Sequence, residues 1–203
     1  MVTDLISELK KRRSIREYKK TPVKKELIEQ IIQAGKYAPS AKNRQPWRFI
    51  VITNKEMIDE IAEVIKKEIR KILKKRFIMK YFHPSLKNER TVKFLAAITL
   101  SKEDILFFDA PVLIFIVTEK KRLNDESCAC CAQNMMLAAH SLELGSCWIG
   151  FAHFLELNKN YLLKIGIPEN HHISATLVFG HPKGKLPRAQ IRKPLADVIN
   201  WID

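Results

Sequence analysis

The chain has 203 residues, a formal net charge of +14 and 46% hydrophobic residues. That length suits one domain over 1–203, since single cores commonly serve about 100–200 residues, and the apolar content excludes wholesale disorder. No run approaches the roughly 20 apolar residues of a membrane span. Met1 to Lys11 mixes acids with lysines, unlike a secretory signal. The four cysteines crowd between Cys128 and Cys147 rather than forming a spread disulfide framework, so the expected setting is reducing and cytoplasmic.

The charge is localised. Residues 10–25 carry nine Lys/Arg against Glu17, and residues 64–76 carry seven against Glu68; the rest of the chain is neutral.

In chain order, Thr3 or Asp4 can cap a first helix that ends near Arg13, with Leu5, Ile6 and Leu9 on one face. Thr21-Pro22 starts a second, with Leu27, Ile31, Ala34 and Ala38 at helical spacing and Pro39 ending it. A polar loop leads through Pro46-Trp47 to a strand over 49–53. Ile58, Ile61, Ile65, Ile69 and Ile72 mark a long third helix with basic residues on its other faces. Residues 80–108 are the least legible, with His83-Pro84 breaking the helix. Pro111 opens a buried strand over 112–117. The stretch 126–144 reads as a helix apolar nearly all round, hence central or at a subunit interface, with Gly145 placed to end it. A short apolar segment 147–151, a helix near 155–165 capped by Gly166 and Pro168, and a strand over 173–179 follow. Beyond Gly180, three prolines mark an extended tail. The alternation of strands and helices fits α/β or α+β, and periodicity does not separate the two.

Four stretches can carry chemistry. Arg12-Arg13-Ser14-Ile15-Arg16 places three guanidinium forks and a hydroxyl where a helix yields to loop, a donor set suited to phosphate; the plainer alternative is a solvated basic helix end. In Ala38 to Trp47, two prolines frame small and amide side chains that can meet a planar heterocycle, or the stretch is a rigid connector with Trp47 in the core. In Gly145 to Gly150, Gly150 permits close backbone approach to a ligand. Arg192 sits in a proline-punctuated tail and can clamp a phosphate.

In this order and spacing, these stretches resemble the nitroreductase family of FMN-dependent oxidoreductases. Arg12 to Arg16 looks like its flavin-phosphate motif, and Pro39, Ser40, Asn43 and Gln45-Pro46-Trp47 look like its second signature. Gln133 to Ala139, running into Gly145 to Gly150, is similar to its central helix and flavin-edge turn. The resemblance implies an α+β sandwich, with a mixed, mainly antiparallel sheet and helices on both faces, forming a homodimer with two FMN sites at the interface. Carried over residue by residue, Arg12 and Ser14 hold the FMN phosphate with Arg13 and Arg192, and Arg16 sits by the pyrimidine edge. Pro39, Ser40 and Ala41 come from the other subunit with Asn43 nearby, and Trp148, Ile149 and Gly150 line the flavin. NADH or NADPH is the implied reductant, and a nitroaromatic, quinone or similar small molecule the acceptor, in ping-pong alternation. A guanidinium at N1 favours the reduced, anionic cofactor, so no side-chain acid or base is required of the protein. Two departures stand out: Gln190 replaces a lysine often found two residues before the tail arginine, and Ser127 replaces an acidic residue at the opening of the central helix.

The same fold could instead serve reductive dehalogenation, flavin destruction or ring dehydrogenation. A third class is a basic nucleic-acid-binding module, but around the helix 64–76 only Phe77 and Tyr81 are aromatic and no stacking pattern appears, so no nucleic-acid partner is expected. The alternative reading has this helix flanking the flavin entrance and attracting anionic NADPH or acidic acceptors. Cys128 and Cys131 form a C-x-x-C pair without a second pair or finger-spaced histidine, so no metal is expected and buried thiols are the better reading. Met135-Met136 suits interface packing, and His171-His172 has no acidic partner in sequence.

Overall fold

The computed structural model describes residues 5–77, 81 and 84–202. The proposed caps Thr3 and Asp4 and the break at His83 lie outside them.

Helix α1 (Leu5–Lys11) is followed by α2 (Lys25–Lys36), strand β1 (Arg48–Ile52), the long α3 (Lys55–Lys74), α4 (Glu89–Leu100), β2 (Val112–Glu119), α5 (Asn124–Ser141), β3 (Gly145–Trp148), α6 (Lys159–Lys164) and β4 (His171–Gly180). The strands form one antiparallel sheet in the order β1-β2-β4-β3. The parallel element expected of a mixed sheet is a single bridge, Ser14 to Ser146, on the outer edge of β3.

Alternation along β2 builds the sandwich. Val112, Ile114 and Ile116 face α2 and α5, whereas Leu113, Phe115 and Val117 face α3, α4 and the 3-10 turn Gly150–Leu157. A bulge between Ile116 and Val117 leaves Ser174 without a register partner in β4. That one-residue slip turns Ile173 to the opposite face from Ala175, Leu177 and Phe179.

Several expected details move. Helix α2 begins at Lys25 rather than beside Pro22, and its cap Lys24 makes no side-chain cap bond. Region 80–108 holds the helix α4, which Asn88 caps by accepting from the backbone N–H of Arg90 and Thr91. The 155–165 helix divides into the 3-10 turn and α6, with Asn158 capping the latter.

Gly145 does not terminate the central helix. Its last turn closes at Leu142 in a 6→1 motif, in which Leu144 N–H donates to Ala139 O at 2.8 Å and Glu143 N–H to His140 O at 3.1 Å. Glu143 takes the left-handed position at φ 60°, and Gly145 is already the first residue of β3.

Met135 and Met136 belong to the chain's own core rather than to a subunit interface. A Cβ on Gly35 would stand 2.6 Å from Met135 Cγ, so glycine is what lets α2 approach α5 closely. Trp47 is likewise a core residue.

An arginine cleft on the sheet edge

The segment after α1 is stitched to the sheet at both ends. Ile15 N–H donates to Ser146 O at 3.0 Å, Lys19 N–H to His181 O at 2.8 Å, and Lys183 N–H to Glu17 O at 3.0 Å. The buried Tyr18 hydroxyl donates to Ile15 O at 2.7 Å, and burial pushes its phenol pKa up. These bonds hold residues 12–18 across the start of β3 and beside the departing tail.

Between this segment and the tail lies a cleft of about 740 Å³. Arg12, Arg13, Ser14, Arg16, Gln190 and Arg192 all line it, and no carboxylate among the described residues does. Arg12 carries the strongest signal. Its Nη1 is buried without a hydrogen-bond partner, and burial, followed by repulsion from Arg192 and Arg13, lowers its pKa. Arg12 as a whole is only part-buried, but a donor taken out of water without a partner is costly.

The arginines are not equivalent. Arg13 Nη1 donates to the carbonyls of Lys10 at 2.5 Å and Arg12 at 2.8 Å, so this guanidinium closes the end of α1. Arg16 lies 5.9 Å from the centroid of the Phe108 ring, within cation–π range. Phe108 and Asp109 are consecutive left-handed residues, at φ 59° and 52°.

Trp148, Ile149 and Gly150 continue from the same strand. Ile149 N–H donates to Thr176 O at 2.9 Å. The ladder's alternation therefore points the peptide groups of Ser146 and Trp148 to the outer edge, the side on which Ile15 binds. Trp148 is part exposed, and a Cβ on Gly150 would meet nothing within 4 Å. Gly150 therefore faces open space with its backbone accessible.

Pro39, Ser40, Ala41 and Asn43 are not brought to this cleft within one chain. Ala41 N–H donates to Ser127 Oγ at 3.4 Å, at the N-terminal end of α5. Gln45 N–H donates to Ser40 Oγ at 3.0 Å, and Gln45 Nε2 to Asn43 Oδ1 at 3.2 Å. Lys42, Asn43 and Gln45 all have positive φ. Arg12, by contrast, shares a small cavity with His140 near the C-terminal end of α5. From Ser127 to His140 the helix rises about 20 Å.

The basic cluster on α3 has structural work. Lys66, only 5% exposed, donates to Glu63 Oε1 at 2.9 Å and to Ser101 O at 3.2 Å. Arg70 donates to Thr99 O at 2.9 Å, Lys71 pairs with the buried Glu68, and Arg76 donates to Leu86 O and Glu89. Lys66 and Arg70 thus satisfy the C-terminal end of α4 from a neighbouring helix.

Among the described residues no cluster of side chains could hold a metal ion, and no helix is long and apolar enough to cross a membrane. Cys128 and Cys131 are free, buried thiols whose pKa values burial pushes up to about 11 and about 12. His172 does have an acidic partner: its Nε2 lies 2.8 Å from Asp125 Oδ1. Phe108 and His140 were not singled out by sequence pattern; Phe108 lies in the illegible stretch, and nothing in spacing links either to the arginines.

An α+β sandwich with an arginine-lined cleft on its sheet edge defines a class, and comparison with known proteins gives it a family. The family model described as the nitroreductase family matches residues 9–181, and the chain belongs to that family. A nitrobenzene nitroreductase of Ectopseudomonas oleovorans is 29% identical over 213 residues, covering 94% of this chain and 90% of the relative. An iodotyrosine deiodinase of Daphnia pulex is 42% identical over 60 residues, 30% of this chain and 20% of that protein. A nitroreductase with bound FMN from Bacteroides fragilis superposes with a TM-score of 0.81 at 27% identity, covering 100% of both chains.

Proposed function

We propose that the chain is an FMN-dependent oxidoreductase that passes hydride from NADH or NADPH through flavin N5 to a nitroaromatic, quinone or similar small acceptor. One observation carries this reading: the unpartnered, buried Arg12 Nη1 in a cleft walled by arginines and free of carboxylates. The FMN bound in the Bacteroides fragilis structure supports the choice of anion.

The residues fit the group. Arg12 and Ser14 hold its phosphate, with Arg192 approaching from the tail. Arg13 adds charge to the cleft while its guanidinium serves the helix end. Arg16, beside the Phe108 ring, would serve the pyrimidine edge, and Trp148, Ile149 and Gly150 would line the flavin, with Gly150 facing open space. Pro39, Ser40, Ala41 and Asn43 complete the site from a second copy in a homodimer, because in their own chain they lie at the far end of α5. When bound, the flavin supplies hydride acceptance and donation. The protein supplies charge and orientation, and no side-chain acid or base is assigned.

The exposed tail supports the dimer. Ile191, Leu195 and Trp201 are 99%, 73% and 81% exposed, an apolar arm that a second copy covers. The reading places the chain in the cytoplasm with neither membrane nor nucleic acid as partner. The local likeness to an iodotyrosine deiodinase favours reductive dehalogenation as the second reading.

The test is the purified protein itself. About one FMN per chain, bleached anaerobically by NADH or NADPH and reoxidised by a nitroaromatic or quinone with ping-pong kinetics, is the expected result. Protein that takes up no added FMN overturns the proposal. Reoxidation by a halogenated phenol alone selects the second reading.

A further inference from the structure

We propose that His140 is a positioning residue whose protonation clamps helix α1, and with it the arginine segment, onto the central helix, making cofactor affinity proton-linked. The inference rests on the reading of the arginine cleft as a phosphate site.

Helix α1 has no buried residue and lies against α5. Its apolar side chains Leu5, Ile6 and Leu9 are exposed. The charged link to α5 is Glu8, whose Oε2 lies 3.3 Å from His140 Nε2, with both side chains about four-fifths buried. This is ion-pair distance, but the contact lacks hydrogen-bond geometry, so its strength depends on whether the imidazole is charged.

Arg12 is coupled directly to this contact. Its backbone N–H donates to Glu8 O at 3.0 Å, so Arg12 leaves the same helical turn that Glu8 anchors. Arg12, Arg13, Glu143 and His140 also share a cavity of about 230 Å³. The charged groups around His140 are Glu8 on α1 (its other carboxylate oxygen pairs with Lys11), Arg12 and Arg13 after it, and Glu143 beyond the end of α5.

With the imidazole protonated and Glu8 ionised, the ion pair pins α1 and fixes the direction from which Arg12 enters the cleft. As pH rises and the imidazole loses its proton, the pair becomes a weak neutral contact. Helix α1 loosens, and affinity for a phosphate-bearing cofactor falls.

The experiment compares wild type with His140→Gln and Glu8→Gln at about pH 5.5 and about pH 8.5, which span the range where histidines titrate. FMN binding is followed by fluorescence quenching, and amide exchange of residues 5–11 by mass spectrometry after correction for intrinsic rates. The phosphate of FMN titrates alike in all three proteins, so the ratio of wild-type to variant affinity is the readout. Wild type is expected to bind about threefold tighter than either variant at the lower pH and equally at the higher, with α1 exchange slower in wild type only at the lower pH. A ratio that does not change with pH overturns the clamp. So does Glu8→Gln keeping the wild-type profile, which would mean that His140 acts by charge alone. If wild type binds no FMN at either pH, the cofactor reading fails, and the exchange data alone then decide the clamp.

Discussion

Gly145 and Ile15 meet so closely that a single methyl has no room between them: a Cβ at 145 would stand 2.7 Å from Ile15 Cγ1 and 2.8 Å from its Cβ. Ile15 is itself buried, at 5% exposure, and cannot swing out without opening the core. This approach is what lets Ile15 N–H reach Ser146 O and seats the arginine segment on the sheet edge. Gly145→Ala should therefore destabilise the protein by about 1–3 kcal/mol and weaken FMN retention together, measured by urea midpoint and by binding. An unchanged midpoint would show that the segment can shift at no cost.

The end of α5 makes a second prediction and explains a misreading. Two helices close with the same backbone motif. At α6 the left-handed position is Gly166, at φ 86°, and the sequence announced it. At α5 it is Glu143, at φ 60°, and the nearby Gly145 drew the eye instead. A non-glycine residue there costs about 1–2 kcal/mol. Glu143→Gly should be more stable than Glu143→Ala by about 1 kcal/mol. Comparing these two removes the charge effect, since both lack the carboxylate beside His140.

Arg12 should separate stability from function. Its Nη1 is buried and unpartnered, and its neighbours in the cleft are cations. Arg12→Met removes that unpaired charge while keeping a long apolar stem. The cofactor-free protein should melt at the same temperature or higher, while affinity for FMN falls at least about tenfold, the loss of a charge-assisted contact. A drop in melting temperature with affinity intact would reverse the assignment.

The basic helix shows how far sequence can be read. Its isoleucine stripe was legible because helical periodicity is local, and all five of Ile58, Ile61, Ile65, Ile69 and Ile72 are buried. The duties of its basic residues were not, because besides its local partner Glu63, Lys66 reaches a backbone carbonyl about 30 residues away, as Arg70 does, in the stretch with no clear pattern. The site divided in the same way. The arginine motif, the 39–47 loop and the 145–150 turn are contiguous in sequence, whereas Phe108 and His140 join it only through the fold. Lys66→Ala should cost about 1–3 kcal/mol, because it strips Ser101 O of its donor and leaves a hole. Lys67→Ala, on the exposed face next door, should fall within about 0.5 kcal/mol of wild type. Equal costs in denaturant would reduce the cluster to a plain solvated face.

The geometry of α5 tests the shared site most directly. Ala41 sits at one end of the helix through Ser127, and Arg12 near the other end beside His140. About 20 Å of helix rise separates Ser127 from His140, and neither cavity that Arg12 lines includes Ala41. If one site takes Arg12 from one copy and the Ala41 loop from its partner, two damaged proteins can repair each other. On that proposal Arg12→Ala would remove the phosphate anchor, and Ala41→Asp would set a carboxylate on the loop facing the flavin. Each variant alone should retain little FMN. Unfolding and refolding them together in equal amounts makes about half the dimers mixed. Each mixed dimer carries one doubly damaged site and one intact site, so about a quarter of all sites should recover FMN and activity. A mixture no better than its components would place both residues in one chain's site, or neither, and would remove the second copy from the proposal.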